Sequence, residues 1–342
     1  MNIESLIREN IRTLKPYSCA RDEFSGKALA YLDANENPYN DPYNRYPDPY
    51  QWALKSKISK IKNVPVDYIF LGNGSDEAID LIYRAFCEPK EDNVVAIEPT
   101  YGMYRVCADI NGVDYRVSLL NEKFEMYAYK VMDSTNQRTK IIWLCSPNNP
   151  TGNLLKKDEI IKLLGWFRGL VVVDEAYIDF SDGESLSSLI PEFPNLIILQ
   201  TFSKAWGSAA VRLGMAFASP KIIAVLNSIK YPYNINYLTQ DYALKMLDGK
   251  EQVQEWVDVI LKERDRMIKA LKRLSVVKHI YPTDANFLLV KVDDAMFVYR
   301  ALISSSVIVR NRNNISLCDN CIRITIGTSE ENNLLLEELK KL

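Results

Sequence analysis

The chain has 342 residues, of which 47% are hydrophobic and 25% charged, and a formal net charge of −2. These are ordinary globular values at a length of about two domains. Near-neutral charge gives no electrostatic reason to expect nucleic acid or an anionic membrane as partner, and no apolar run reaches the roughly 18 residues that span a bilayer.

Residues 4 to 14 place Leu6, Ile11 and Leu14 on a helical stripe that Pro16 and Tyr17 end. This start mixes charges of both signs and has no uninterrupted apolar core, so it does not read as a secretory signal. Residues 29 to 33 suggest a short strand. Asn35-Glu36-Asn37-Pro38-Tyr39 then opens a loop dense in Pro, Asn, Asp and Tyr that runs to Tyr50. Its tyrosines leave two readings open, a surface loop or an arm that reaches a cleft or a partner subunit. Next comes the short apolar run Ile69 to Leu71, the turn Gly72-Asn73-Gly74-Ser75, and an amphipathic helix striped by Ala78, Ile79, Leu81, Ile82, Ala85 and Phe86. Ser75 is placed as its N-cap. A glycine-rich turn at a helix N-terminus is an anion site, although Asp76 and Glu77 would repel a phosphate if their side chains faced it.

From there strands and helices alternate. Strands are predicted at 94–97, 113–117, 141–145, 170–173 and 196–199, with helices opening at Pro99 to Tyr104 and spanning 156–167. The segment Gly207 to Ala210 is expected to be helical. Such alternation predicts an α/β fold with a mostly parallel sheet sandwiched by helices. Ligands of these sheets bind beyond the strand C-terminal ends. Ser75, Tyr101, Asn149, Asp174 and Lys204 all fall at such ends. After about residue 236 the pattern changes to a long helix over 250–275, strands at 286–292, 307–310 and 322–326, and a last helix opened by Thr328-x-x-Glu331, a capping-box spacing. This predicts a smaller α+β C-terminal domain.

The residues at the strand ends carry chemistry. Lys204 follows a buried strand, and desolvation there favours the neutral, nucleophilic amine that forms Schiff bases. Asp174 follows four apolar residues, and a carboxylate in that position needs a cationic partner to stay charged. A protonated pyridine nitrogen would serve. Tyr177 and Asn149 offer hydrogen bonds to a phenolate oxygen. Ser75, Thr201, Ser203 and Arg212 offer a phosphate cup, and Tyr101 an aromatic face. Together these describe pyridoxal 5'-phosphate. A dinucleotide has no anchor, because no GxGxxG follows the first strand. His279 is the only histidine, so serine–histidine catalysis would have to rest on it, with no nucleophile motif nearby. The six cysteines are Cys19, Cys87, Cys107, Cys145, Cys318 and Cys321. Most read as buried thiols of a reducing cytoplasm. Cys318 and Cys321 are the one close pair, and with neither a second pair nor further histidines no metal is expected.

The motifs NENPY, GNGSDE, PTYGMY, SPNNPTG, VVDEAY, TFSKAWG…R and CIRITIG stand in this order over nearly the whole chain. The set resembles the fold-type I aminotransferases, and within them the histidinol-phosphate branch. The resemblance implies that Lys204 carries the cofactor covalently and moves a proton between the substrate Cα and the cofactor C4′. It implies that Asp174 pairs with the pyridine nitrogen and that Tyr177 and Asn149 hold the phenolate oxygen. Ser75, the backbone of Asp76, Thr201, Ser203 and Arg212 would hold the phosphate, with Tyr101 stacked on the ring. Tyr46 would reach the cofactor phosphate of a partner subunit, which implies a homodimer. Arg323 would fork onto the substrate α-carboxylate, with Arg310 and Tyr17 toward the substrate phosphate.

The implied division is an N-terminal arm over 1–30 packing on the small domain and partner, a large cofactor-binding domain over 31–240 and a small domain over 241–342. The implied reaction is a cytoplasmic transamination between histidinol phosphate and 2-oxoglutarate, giving imidazole acetol phosphate and glutamate, in histidine biosynthesis. Its alternatives are an aromatic or broad-range aminotransferase, or a phospho-amino-acid decarboxylase on the same fold.

Overall fold

The computed structural model describes residues 2–18 and 28–342. In chain order its regular elements are α1 (Glu9–Arg12), α2 (Trp52–Lys62), β1 (Ile69–Asn73), α3 (Ser75–Phe86), β2 (Asn93–Glu98), α4 (Met103–Ile110), β3 (Asp114–Leu119), α5 (Ala128–Asp133), β4 (Thr139–Cys145), α6 (Lys157–Trp166), β5 (Leu170–Asp174), β6 (Leu196–Thr201) and β7 (Leu213–Phe217). There follow α7 (Pro220–Ile229), α8 (Tyr237–Asp248), α9 (Lys250–Leu271), β8 (Val277–Ile280), β9 (Phe287–Val292), α10 (Ala295–Ser304), β10 (Arg310–Asn311), β11 (Cys321–Thr325) and α11 (Ser329–Leu339).

Seven strands form one sheet in the order β1-β7-β6-β5-β4-β2-β3. All its pairings are parallel except the two made by β7, which is antiparallel to both β1 and β6. The inner strands are unbroken Val, Ile and Leu runs because both faces are covered. Val94, Ala96, Ile141, Trp143, Leu170 and Val172 pack on one side with α3, α4 and α7. Val95, Ile97, Ile142, Leu144, Val171 and Val173 pack on the other, with α2, α6 and part of the second sheet.

The second sheet is antiparallel, in the order β10-β11-β9-β8. Its alternation has period two. Leu288, Val290, Ile322 and Ile324 face a separate core with α9, α10 and α11. Phe287, Leu289 and Cys321 face the core of the large sheet. The small sheet therefore presents one face toward the large one, and Arg323 has the parity of that face. The last helix carries the expected capping box between Thr328 and Glu331.

Several local expectations change. Residues 29–33 form no strand. The first residues form a 3₁₀ turn at Ile3–Leu6 and the single turn α1, not one helix. The first residues of the arm lie against helices of the large sheet. Ile3 is buried with α3 and α7, and the Arg8 side chain donates to the Arg84 carbonyl in α3 and to the Glu88 carboxylate just beyond its end. The other end of the predicted arm, from 19 to 27 and including Cys19, lies outside the described residues. Gly207 to Ala210 is a turn leading into a 3₁₀ turn at Ala209–Val211.

Ser75 is the first helical residue and Gly74 the N-cap, with no side-chain capping bond. Gly74 has φ +74°, and a Cβ there would sit 2.6 Å from the Arg212 Nη2. A Cβ on Gly214 of β7 would overlap the Gly74 carbonyl carbon and the Ser75 nitrogen. The β1–α3 turn thus lies directly on β7, and the Gly74 N–H donates to the Arg212 carbonyl at 2.6 Å. Gly214→Ala should displace this turn and cost about 2–4 kcal/mol of stability; an unchanged denaturant midpoint would show that the turn yields without cost.

Candidate active site

The C-terminal ends of β1, β2, β4, β5 and β6 open on one cleft of about 770 Å³. Among the residues that line it are Ser75, Asp76, Tyr101, Asn149, Asp174, Tyr177, Thr201, Ser203, Lys204, Arg212, Arg310 and Arg323. Twelve of the fourteen residues singled out from the sequence thus meet in one place. The other two, Tyr17 and Tyr46, lie outside it. Tyr17 is exposed beside Pro49, Tyr50 and Lys230. Tyr46 stacks on Tyr233, with ring centroids 4.5 Å apart, and lines a separate surface groove with Tyr43, Tyr237 and Leu238.

Asp174 ends β5 and is buried. Tyr104 donates its hydroxyl to Asp174 Oδ2 at 2.8 Å, and the Ala176 N–H donates to Oδ1 at 3.0 Å. Burial still pushes its carboxyl up to about 6, the hydrogen bonds and Lys204 pulling the other way. The site is thus built for a carboxylate but lacks enough positive charge to hold it comfortably. Tyr104 is placed by a buried aromatic stack. Its ring lies 5.0 Å from that of Trp143, which lies 5.3 Å from Tyr83, and the Tyr83 hydroxyl donates to the Tyr104 carbonyl. Sequence reasoning did not assign Tyr104. Its only signal was its position three residues after Tyr101, at the start of the helix that follows β2. The neighbouring Glu175 points elsewhere, tied to Ser185, Gln200 and the Leu186 N–H.

Lys204 is reachable from the cleft. Surrounding protein and then Arg323 push its ammonium pKa below the usual range, with Asp174 opposing. Its Nζ lies 5.5 Å from the Tyr177 ring centre. Asn149 donates to the Tyr177 hydroxyl at 3.3 Å and accepts from Arg323 through Oδ1. The tight turn that carries Asn149 is tied across to the small sheet's entry, where the Asp284 N–H donates to the Gly152 carbonyl at 2.7 Å.

Ser75 opens α3, so its end of the helix presents free N–H groups. Beside it, Ser203 Oγ accepts from Arg212 at 3.4 Å, and Thr201 Oγ1 accepts the Ser203 N–H at 3.0 Å. Arg212 has φ +55°, an uncommon backbone for a non-glycine residue, of the kind found at functional sites. The Asp76 carboxylate takes the Tyr101 hydroxyl at 3.1 Å and Arg212 at 3.5 Å. Glu77 turns away to the Asn73 N–H and Asn234. The feared repulsion at this helix end is therefore reduced to one carboxylate already paired with an arginine. Cys145 also lines the cleft and was not assigned from sequence.

On the facing wall, β10 and β11 pair Arg310 directly with Arg323. Arg312 is also brought into the cleft; in the sequence it was no more than a neighbour of Arg310, two residues on. Cys318 and Cys321 are free and buried. Burial pushes their thiols up to about 12 and about 11, so they stay protonated and unreactive. Among the described residues no group of His, Cys, Asp and Glu is arranged to hold a metal, and no helix is long and apolar enough to cross a membrane.

The residues present fit pyridoxal phosphate on structural grounds. A buried carboxylate short of positive charge, a lysine with a lowered pKa, a phenol–amide pair and a helix N-terminus beside an arginine suit its pyridine nitrogen, aldehyde, phenolate and phosphate. A sheet of this topology with such a cleft defines the fold-type I aminotransferase class. Residues 29–339 match the family described as aminotransferase class I and II. A histidinol-phosphate aminotransferase of Bacteroides thetaiotaomicron is 57% identical over 340 residues, 99% of this chain and 98% of that one. The crystal structure of the histidinol-phosphate aminotransferase from Clostridium acetobutylicum superposes with a TM-score of 0.81 at 25% identity, covering 87% of this chain and 90% of that chain. The histidinol-phosphate aminotransferase of Sinorhizobium meliloti in complex with pyridoxal-5'-phosphate shares the fold, with a TM-score of 0.80 at 21% identity, over 87% of this chain and 82% of that one. The chain belongs to the histidinol-phosphate aminotransferases of the class I and II aminotransferase family.

An acid whose pKa is higher in the folded than in the unfolded chain binds extra protons on folding. Its contribution favours the fold at low pH and turns against it as pH rises through both values. For Asp174 the window runs from about 3.9, the unfolded value, to about 6. Asp174→Asn should therefore stabilise the cofactor-free protein at pH 7 by about 2–3 kcal/mol, with the gain vanishing near pH 4. Denaturant midpoints of the two cofactor-free proteins across that range check this; equal midpoints at pH 7 would mean that Asp174 is already compensated.

Proposed function

We infer that this chain catalyses transamination between histidinol phosphate and 2-oxoglutarate, giving imidazole acetol phosphate and glutamate, with pyridoxal 5'-phosphate as cofactor. The observation that carries the reading is the meeting of Lys204, Asp174 and the Ser75–Arg212 cradle in one cleft, opposite Arg323. The cofactor supplies the electron sink that makes the substrate Cα proton removable, and it stores the amino group between half-reactions.

The chain's own residues do the rest. Lys204 would hold the cofactor covalently through its Nζ. Burial and Arg323 lower the pKa of this amine, which would carry the proton between Cα and C4′. Asp174 keeps a proton on the pyridine nitrogen, and Tyr104 holds Asp174 in place. Tyr177 and Asn149 donate to the phenolate oxygen. The N–H groups at Ser75 and Asp76, with Thr201, Ser203 and Arg212, would bind the phosphate, and Tyr101 would offer its face to the ring.

Arg323 takes the α-carboxylate of glutamate. Histidinol phosphate carries a phosphate-esterified hydroxymethyl group where glutamate carries that carboxylate, so the same arginine wall receives a phosphate in the other half-reaction. Arg310 stands beside Arg323 for this purpose. Tyr17 stays a proposed substrate contact only if the arm or a partner brings it to the cleft.

The reading includes a division of the chain near residue 240, which lets the small sheet's arginines meet the large sheet's lysine. It also includes a homodimer at work in the cytoplasm. The exposed Tyr43, Tyr46 and Leu238 beside Tyr237 support a partner-facing surface from which Tyr46 would serve the other subunit's site. The buried free thiols suit a reducing compartment.

Purified wild type should absorb as a protein-bound cofactor, and glutamate should convert that absorbance to the amine form. Imidazole acetol phosphate should then restore it, and faster than phenylpyruvate does. Faster restoration by phenylpyruvate would replace this substrate with an aromatic one. Lys204→Ala should lose covalent attachment, read as reducible label on the protein, and slow each half-reaction by at least about 10²–10⁴-fold. For the dimer, inactive Lys204→Ala mixed with weakened Tyr46→Ala should form hybrids with one intact site and regain activity; no regain would remove Tyr46 from the partner's site.

A further inference from the structure

The arginine wall contains more positive charge than the assigned residues use. Arg310 and Arg323 are directly opposed across an antiparallel pair, where like charges destabilise the sheet. Arg312 lies two residues beyond Arg310, and its N–H pairs with the Cys321 carbonyl. Side chains two apart in a strand share a face, so all three guanidinium groups project from one face of β10–β11 into the cleft. Among the described residues, neither Arg310 nor Arg312 has an ion pair or a side-chain hydrogen bond. The Arg312 Nε is buried without a partner. Among the described residues, the carboxylates lining the cleft are Asp76 and Asp174. Asp76 is already bonded to Tyr101 and Arg212, and Asp174 to Tyr104 and the Ala176 N–H.

The loop holds Arg312 in this costly position. Asn311 Oδ1 accepts the Asn313 N–H at 2.8 Å, and Asn313 Oδ1 accepts the Asn320 N–H at 2.7 Å. These bonds close the β10–β11 turn around the arginine. Burial, then Arg323 and Arg310, push the Arg312 pKa down to about 10, so it remains charged at neutral pH. A half-buried cation without a counter-ion and a buried N–H without an acceptor both cost stability until a ligand supplies them.

We propose that Arg312 is a specificity-determining residue, the third guanidinium of the substrate-anion pocket, which selects the phosphate group of one substrate over the α-carboxylate of the other. A carboxylate brings one charge and two oxygens, which the Arg323 fork satisfies. A phosphate monoester brings nearly two charges at neutral pH and three terminal oxygens. It has acceptors and charge left over for Arg310 and Arg312, including the orphaned Nε–H. The proposal rests on the reaction inferred above, in which one pocket takes both groups in turn.

The test uses the cofactor-loaded enzyme and follows each half-reaction separately by cofactor absorbance. Arg312→Gln keeps a polar side chain of similar reach and removes the charge. It should lower kcat/KM for histidinol phosphate by about 10–100-fold, the size expected for one charged hydrogen bond, while glutamate changes by less than about threefold. Inorganic phosphate should inhibit the glutamate half-reaction of wild type, and that inhibition should weaken in the variant by a similar factor. Arg312→Lys, which keeps the charge but not the fork, should fall between.

Equal losses for both substrates, or none, with wild type active on both would overturn the proposal and leave Arg312 a packing residue. Should Arg312→Gln fail to hold the cofactor, Arg312→Lys decides by the same ratio. A wild type that processes glutamate but not histidinol phosphate would overturn the inferred reaction and the proposal with it.

Discussion

Asp174 places a carboxylate at the end of a strand whose four preceding residues are fully buried. An anion in such surroundings is tolerable only if dipoles and cations converge on it. Much of the cleft answers that need. The Tyr83–Trp143–Tyr104 stack delivers one hydroxyl, the turn after β5 delivers one N–H, and the adjacent strand β6 delivers Lys204. A cation at the open side would complete this set, and a protonated pyridine would supply it. The shortage of positive charge around Asp174 would then give such a cofactor its hold.

The opposite wall has the reverse problem. Three arginines share one face of a short antiparallel ribbon with no acid among them. The two walls face each other because the small sheet is two-sided, with Leu288, Val290 and Ile322 toward its own helices and Phe287 and Leu289 toward the large core. That alternation turns Arg323 toward Asn149 and the cleft. The hydrogen bond between those two residues couples the arginine wall to the Asn149–Tyr177 pair. A ligand that spans cofactor and substrate therefore bridges an excess of positive charge on one side and a buried negative charge on the other.

Much of this site was legible because strand ends are legible. Apolar runs of four or five residues followed by Asp174, or by Gln200 and Thr201, mark the C-terminal edge of a buried sheet without any structure. Two kinds of feature were not. Strand β7 is another short apolar run, and nothing in Leu213 to Phe217 says that it runs opposite to its neighbours. Its direction matters, since Gly214 lets the β1–α3 turn settle beside Arg212. Likewise Tyr104 looked like one more aromatic at the start of a helix. Its hydroxyl has meaning only once β2 and β5 are known to lie two strands apart, with β4 between them. Ser75 shows a smaller limit. A serine before a helix reads as a cap, and the actual cap is Gly74, whose φ of +74° is a conformation that residues with a Cβ rarely adopt.

The sequence by itself determined the class of fold and the cofactor chemistry, and it singled out the lysine proposed as the anchor. These depend on residue type at the ends of short, strongly patterned segments, which is local information. Only the tertiary structure decided which tyrosines and arginines share the cleft. Tyr17 and Tyr46 lie outside it in this chain, and Arg312 lies inside it. Those placements follow from the strand order, from β7 running antiparallel and from the packing of one sheet on another, and they involve partners tens to hundreds of residues apart. No periodicity within a segment encodes such separations, so the composition of the two charged walls emerges only when the chain is folded.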